Sequence, residues 1–180
     1  MTDFKRRYLQ DVVPALRKQF GYSSVMAVPR ITKAVINVGI SSGNKDSKFP
    51  EAVMQSLTRI AGQKPVPTKA KKSISNFKIR QGMTVGYKVT LRGARLEAFL
   101  DKLVRITLPR VRDFRGLSEK SLDQRGNMAI GFKESIAFPE VRPDEVLHLH
   151  GLEIAITTSA KTRAESLALF RALGFPLQTS

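Results

Sequence analysis

Cysteine is missing from this chain of 180 residues. Its absence excludes disulfides, thiol chemistry and cysteine-based zinc sites, and it fits a reducing compartment. Long apolar runs are missing too, since none approaches the roughly 20 residues of a membrane span, and the N-terminal segment MTDFKRRYLQ is charged where a signal peptide would be apolar. We therefore expect a soluble protein without membrane contact, whose 42% hydrophobic residues fold 1–180 as a single domain.

Acidic residues are scarce in the first half of the chain. Residues 1–96 carry 19 lysines and arginines against four acids, whereas the near-neutral half 97–180 carries 12 against 11. Between Glu51 and Glu97 there are ten basic residues and no acid. The net charge of +16 exceeds the value of about 2 to 8 that solubility alone requires. The basic residues between Glu51 and Glu97 repel one another unless a polyanion neutralises them, so the sequence predicts a nucleic-acid partner.

Apolar residues alternate with polar ones in the segments expected to form strands. These are residues 30–40, 84–92, 128–132 and 152–157. Helices and strands are interleaved without the regular alternation of a doubly wound sheet. We expect an α+β fold with a mainly antiparallel sheet, helices packed on one face, and two long charged loops.

Helix signals accompany the remaining apolar segments. We expect a first helix that Thr2 and Asp3 can cap, kinked or broken at Pro14 and ended by Gly21. A second should open at Ser47 before Pro50 and end at Gly62, and a third should follow the stripe from Leu96 to Val104 and end at Pro109. A last helix should start with a capping box formed by Thr162 and Glu165.

Enzyme and metal signatures are weak. The segment GISSGNK, residues 39–45, has three residues between its glycines where a phosphate-binding loop needs four. His148 and His150 form an H-x-H pair without a third ligand, and we interpret them as ordinary surface residues. Asp113, Asp123 and Glu134 are isolated acids, and no nucleophile signature occurs. We predict a protein that is not an enzyme, with no catalytic residue, no cofactor and no metal.

RNA-binding residue types are concentrated around loop 69–83, KAKKSISNFKIRQGM. Phosphate contacts are expected from Lys64, Lys69, Lys71, Lys72, Lys78 and Arg80. Contacts to 2′-hydroxyls and bases are expected from Ser73, Ser75, Asn76, Phe77 and Gln81. The alternative for any one of them is a solvated side chain, or a Phe77 that packs inward. Asn37 and Thr90 are polar residues in strands, and they suit an RNA minor groove if those strands are neighbours and ordinary outer-face positions otherwise.

Several segments resemble one ribosomal protein family. Residues 68–93, TKAKKSISNFKIRQGMTVGYKVTLRG, look like the signature of the universal large-subunit protein, number five of its series, that binds 5S rRNA. Further similar segments are QFGYSSVMAVPRITKAVINVG (19–39), LPRVRDFRGL (108–117), GFKESIAFPE (131–140) and ITTSAKTRAE (156–165). The resemblance covers nearly the whole chain.

The resemblance implies a bacterial protein of the central protuberance, a monomer within the cytoplasmic large ribosomal subunit, bound to 5S rRNA and large-subunit rRNA. It implies a 5S rRNA-binding sheet surface that includes Asn37, Gln63, Thr90 and Arg92, and we expect Lys64 from the basic segment to bind 5S rRNA as well. A loop facing the P-site tRNA would present Lys69, Lys71, Lys72, Ser73, Asn76, Phe77, Lys78 and Arg80. A bridge to a protein of the small-subunit head would use Arg110, Arg112, Asp113 and Arg115.

A competing hypothesis is a free RNA chaperone or an RNA-acting enzyme with a basic docking arm. Either would require a catalytic constellation or equal binding to many RNAs. Preference for 5S rRNA over an unrelated RNA of equal length separates the hypotheses.

Overall fold

The computed structural model describes residues 2–40, 48–141 and 149–178. Its helices are α1 (Asp3–Arg7), α2 (Val13–Phe20), α3 (Phe49–Ala61), α4 (Gly93–Lys102) and α5 (Arg163–Ala172). Its strands are β1 (Ile31–Gly39), β2 (Val66–Lys69), β3 (Thr84–Leu91), β4 (Met128–Phe132) and β5 (Leu152–Thr158). The interleaved helices and strands confirm the predicted α+β class.

The five strands form one antiparallel sheet in the order β2-β3-β1-β5-β4. The four predicted strands are confirmed. The sequence did not predict β2, which pairs antiparallel with β3 from Val66 opposite Lys88 to Lys69 opposite Thr84. Pro67 lies inside β2 and cannot donate to a ladder, but β2 is at the end of the sheet order, where an edge strand tolerates proline.

Pro14 does not break the first helix. The backbone turns continuously from α1 through a π-helical segment, Tyr8–Val12, into α2. A proline removes one backbone donor and crowds the preceding turn, and a π-helical widening accommodates both effects. Where the sequence allowed a kink or a break at Pro14, the structure has a π-helical segment. Gly21 ends the helix with a φ of 69°, as predicted.

The helix that begins with α4 also has a π-helical segment before its proline. A second π-helical segment, Leu103–Thr107, extends α4, and a 3-10 turn, Leu108–Arg110, then contains Pro109. The helical path therefore ends at Pro109 or shortly after it, as the sequence predicted. Each π-helical segment stops two residues before a proline.

The other helix boundaries follow local signals. Gly62 ends α3 with a φ of 62°, and the capping box of α5 is present, with Thr162 accepting from the Glu165 amide and Glu165 accepting from the Thr162 amide. The expected cap of α3, Ser47, lies outside the described residues. The structure starts that helix at Phe49.

The chain divides into two compact units. The first comprises residues 1–34, 91–130 and 155–180, and the second comprises 35–90 and 131–154. The buried core of the first unit includes Val12, Leu16, Leu100, Leu103, Met128, Ile156 and Phe170. The buried core of the second includes Ile36, Val53, Leu57, Ile60, Val89, Phe138 and Ile154. Both cores consist of aliphatic and aromatic side chains, and their removal from water stabilises each unit.

Candidate nucleic-acid interface

The second unit presents two polar side chains on neighbouring strands. Asn37 in β1 is exposed between the buried Ile36 and Val38. Thr90 in β3 is half-buried between the buried Val89 and Leu91. Because side chains alternate across a sheet, both polar groups point away from the core. β1 and β3 are adjacent in the sheet, which satisfies the condition that the sequence interpretation set for a shared surface.

Gly86 fixes how β3 fits between its neighbours. A Cβ at this buried position would lie 2.5 Å from the Val38 carbonyl oxygen and 2.9 Å from the Thr68 hydroxyl. No side chain fits there, so the neighbouring backbones approach β3 closely. The ladder also shifts between Thr68 and Lys69. The expected alternation of β3 therefore holds from Lys88 to Leu91 but fails around Gly86, where Val85 and Tyr87 are both half-buried.

Of the three further predicted 5S rRNA contacts, Gln63 and Lys64 lie between α3 and β2, and Arg92 directly follows β3. Gln63 is half-buried just after α3, and Lys64 beside it is exposed. Arg92 follows β3 directly with extended backbone, φ −143° and ψ 163°, and its side chain is exposed. Arg92 belongs to the first unit, whereas Asn37, Gln63, Lys64 and Thr90 belong to the second. The structure thus brings four of the five predicted residues into one unit.

Loop 69–83 is a hydrogen-bonded hairpin. The Ala70 amide donates to the Met83 carbonyl at 2.8 Å, and Ile74 and Ile79 exchange amide-to-carbonyl bonds of 2.9 and 3.1 Å. The Ser73 hydroxyl accepts from the Gln81 amide at 2.9 Å. At the tip, Lys78 adopts a φ of 54°, and its amide donates to the Ser75 carbonyl. The loop therefore has a defined backbone of its own.

The hairpin directs its cationic and aromatic side chains to solvent. Phe77 at the tip is 62% exposed, which argues against the alternative that it packs inward. The other residues that the sequence assigned to this loop are also exposed: Lys69, Lys71, Lys72, Ser73, Asn76, Lys78 and Arg80. An exposed ring among cations is the combination that stacks on bases and neutralises phosphates.

Loop 110–125 belongs to the first unit and is hydrogen-bonded near its middle to the C-terminal segment. The Leu117 amide donates to the Pro176 carbonyl at 2.7 Å, and the Gln178 amide returns a bond to the Leu117 carbonyl at 2.9 Å. The Gln178 side chain also donates to the Arg115 carbonyl at 3.0 Å. The C-terminal segment, which the sequence left without a role, thus pairs with this loop.

The predicted bridge residues lie at the start of loop 110–125. Arg110, Arg112, Asp113 and Arg115 are all exposed, and Asp113 has a φ of 54°. Further along, Glu119 pairs with Arg171 at 2.8 Å, and its carbonyl accepts from Arg163 at 2.8 Å. The arginines at the start are presented to solvent while the later part is held against α5.

Among the residues that the structure describes, the enzyme-like features do not form a site. His150, interpreted as a surface residue, is in fact buried; its Nε2 lies 3.0 Å from the Ser56 hydroxyl. Burial lowers the pKa of His150 below its ordinary value, because a low-dielectric environment disfavours the charged imidazolium. His148 and most of the segment GISSGNK lie outside the described residues. Within the described ranges, no group of three potential metal ligands occurs, and no helix is long and apolar enough to cross a membrane.

Comparison with known proteins identifies relatives along the whole chain. The family model for ribosomal protein L5 matches residues 24–80, and the model for the C-terminus of the same ribosomal family matches residues 84–177. The large ribosomal subunit protein uL5 of Symbiobacterium thermophilum is 52% identical over 176 residues, covering 98% of both chains. The uL5 protein of Cupriavidus metallidurans is 56% identical over 171 residues, covering 95% of both. That of Thermoanaerobacter sp. is 51% identical over 176 residues, covering 98% of both.

Proposed function

This chain belongs to the ribosomal protein L5 family, whose members are structural proteins of the large ribosomal subunit and not enzymes, and from that premise we propose that it binds 5S rRNA through the open face of β1 and β3. The observation that carries the proposal is the outward placement of Asn37 and Thr90 on adjacent strands. Binding there helps to attach the 5S rRNA to the large-subunit rRNA in the central protuberance.

The chemistry of this face suits folded RNA. The minor groove of an RNA helix is wide and shallow and displays 2′-hydroxyls, which both donate and accept hydrogen bonds. Asn37 offers an amide with both functions and Thr90 a hydroxyl with both. Lys64 adds a cation for a flanking phosphate, and no acid occurs between Glu51 and Glu97 to repel that phosphate.

The hairpin 69–83 is proposed to contact the P-site tRNA. Its backbone bonds are internal, so its side chains can reach a partner without reorganising the sheet. Lys71, Lys72, Lys78 and Arg80 supply charge, and the exposed Phe77 supplies a stacking surface. Contacts of this type are tolerant of base sequence, which suits a site that must accept every tRNA.

Loop 110–125 is proposed to bridge to a protein of the small-subunit head. It combines exposed arginines with Asp113, and mixed charge of this kind suits a protein surface better than a uniformly anionic RNA. Arginine is also enriched in protein interfaces. The bonds of Leu117 and Gln178 with the C-terminal segment hold the loop in position for that contact.

The 5S rRNA proposal is tested with the double variant Asn37→Ala, Thr90→Ala. Each lost hydrogen bond costs about 0.5 to 1.5 kcal/mol, so the dissociation constant for purified 5S rRNA should rise about 5- to 150-fold. Gln55→Ala, at an exposed position of α3, is the matched control and should bind normally. Unfolding curves of the variants should match that of the wild type.

Two outcomes would contradict the proposal. Unchanged affinity of the double variant for 5S rRNA would exclude this face as the binding surface. Equal affinity of the wild-type protein for 5S rRNA and for an unrelated RNA of the same length would favour the free RNA chaperone instead.

A further inference from the structure

A groove of about 420 Å³ lies in the first unit, and none of the residues that line it is assigned to RNA. Its walls come from α1, the π-helical segment Tyr8–Val12, the 3-10 turn Val25–Ala27 and α4. Buried residues, among them Val28, Leu96 and Leu100, form its floor. Val13 at the start of α2 and Ile31 and Thr32 at the start of β1 also line it, so the groove is an apolar concavity formed by six elements of one compact unit.

Large apolar side chains are exposed at the mouth of this groove. Leu9 is 43% exposed, Val25 47% and Met26 81%. All three line the groove, and Leu9 and Val25 also line a shallower depression beside it. A cluster of apolar side chains exposed around a concavity is typical of a binding site, whereas a single exposed residue needs no explanation.

The turn that carries Met26 is held in place by hydrogen bonds. The Ser24 hydroxyl accepts from the Met26 amide at 3.2 Å, and the Ala27 amide donates to the Ser24 carbonyl at 3.1 Å. Arg17 donates to the carbonyls of Tyr22 and Ser23 at 3.1 and 3.0 Å. The exposure of Met26 is therefore a property of a fixed turn.

The rim of the groove is cationic. Lys5 and Arg30 line the main groove, and Arg17 and Lys18 line the adjoining depression. Within the described residues, Glu97 is the one acid that lines either of them, and its carboxylate already accepts a hydrogen bond from the Thr2 hydroxyl. The groove therefore favours an occupant that has apolar side chains at its centre and negative charges around them.

We propose that this groove docks an acidic amphipathic segment of a second protein, with its apolar side chains on Leu9, Val25 and Met26 and its carboxylates facing Lys5, Lys18 and Arg30. An RNA would satisfy the cations but would leave the aliphatic mouth without a matching apolar surface, since its exposed groups are phosphates, riboses and base edges. A helix with one apolar stripe and acidic flanks satisfies both. This proposal is independent of the 5S rRNA surface.

The test uses the full-length protein and a fluorescent synthetic peptide that has leucines at helical spacing and glutamates elsewhere. A peptide of the same composition in scrambled order is the reference. The ordered peptide should bind at least about 10-fold more tightly, because only it presents a continuous apolar stripe. The double variant Val25→Ser, Met26→Ser should lose that advantage, and Lys5→Gln should weaken binding and its salt dependence.

Ile106→Ser is the matched control, because Ile106 is also an exposed apolar residue of the first unit, at 45% exposure, but does not line the groove. It should bind the ordered peptide normally. The double variant should keep full affinity for 5S rRNA, so the test is separate from that of the RNA surface. Equal binding of ordered and scrambled peptides would overturn the proposal, and so would weaker 5S rRNA binding by the double variant, which would assign the groove to RNA.

Discussion

Loop 69–83 and loop 110–125 both present exposed cations, yet their backbones are held by different partners. The first is a hairpin whose bonds join its own two arms, as between Ala70 and Met83. The second is bonded to the C-terminal segment and to Arg163 and Arg171. The first contains no acid, and the second contains Asp113, Glu119 and Asp123. A loop held by internal bonds can present charge of one sign, whereas in the second loop one acid, Glu119, takes part in the attachment to α5.

The largest difference between the loops should be in the loss of stability when a glycine in or beside each loop is replaced by alanine. Gly126, just after loop 110–125, has a φ of 79°, and a Cβ there would lie 2.8 Å from the Ser166 Cβ and 3.1 Å from the Ala160 Cβ. Gly82 in loop 69–83 has a φ of 84° with nothing within 4 Å. Gly126→Ala should lower the free energy of unfolding by about 2 to 5 kcal/mol through backbone strain and overpacking. Gly82→Ala should cost about 1 to 2 kcal/mol, from backbone strain alone.

Urea denaturation of both variants measures this difference directly. The contacts around Gly126 explain why it should be large, because the Thr158 and Ser166 hydroxyls both donate to its carbonyl, at 2.8 and 2.6 Å. Equal losses for the two variants would mean that the attachment of loop 110–125 contributes little to stability.

Neutralising charge should separate the two loops by partner. Lys71→Gln with Lys72→Gln should reduce tRNA contact in assembled ribosomes about 10-fold and lower the salt slope of that contact by roughly 0.7 to 0.9 for each phosphate lost. Binding to 5S rRNA should stay nearly intact. Arg112→Gln with Arg115→Gln removes the same charge and should weaken subunit association without changing tRNA contact. Loss of 5S rRNA binding in the lysine variant would mean that loop 69–83 faces a different partner.

Local periodicity accounts for what the sequence predicted. The apolar alternation of β1, β4 and β5 and the capping box at Thr162 and Glu165 are encoded by neighbouring residues, so they were found. β2 was missed because Pro67 argues against a strand until its edge position is known. The single domain of residues 1–180 stays a prediction.

Long-range contacts explain most of the remainder. The bond from Gln178 to Arg115 joins residues 63 positions apart, and no local pattern indicates it. His150 was misplaced for the same reason, since its partner Ser56 lies 94 positions away. For the candidate RNA interface, residue types and charge were enough to indicate RNA as the partner. That Asn37 and Thr90 lie on neighbouring strands became known only from the order of the strands in the sheet.

Gln178→Ala should loosen one loop and leave the other unchanged. The variant removes the side-chain bond to the Arg115 carbonyl, which is worth about 0.5 to 1.5 kcal/mol. Amide hydrogen exchange at Leu117 should accelerate about 2- to 10-fold, while Ile74 and Ile79 in loop 69–83 keep their rates. Gln124→Ala, an exposed position in loop 110–125, serves as the control. Unchanged exchange at Leu117 would show that the backbone bonds to Pro176 and Gln178 suffice.

The smallest difference should be a response to acid that is confined to the end of loop 110–125 and the two residues after it. Burial raises the pKa of Asp123, but hydrogen bonds from Asn127 and from the Arg125 backbone outweigh it, so the pKa lies below its ordinary value. The carboxylate accepts from the Asn127 amide and side chain at 2.7 and 2.8 Å. A depressed pKa stabilises the folded turn above the ordinary Asp value of about 3.9, and this stabilisation is lost as the pH falls through the folded value. The Asn127 amide resonance should therefore titrate with a midpoint below about 3.9, and Asp123→Asn should abolish that titration. The amides of loop 69–83, which contains no acid, should not follow it, and a shared titration would show that the two loops are coupled.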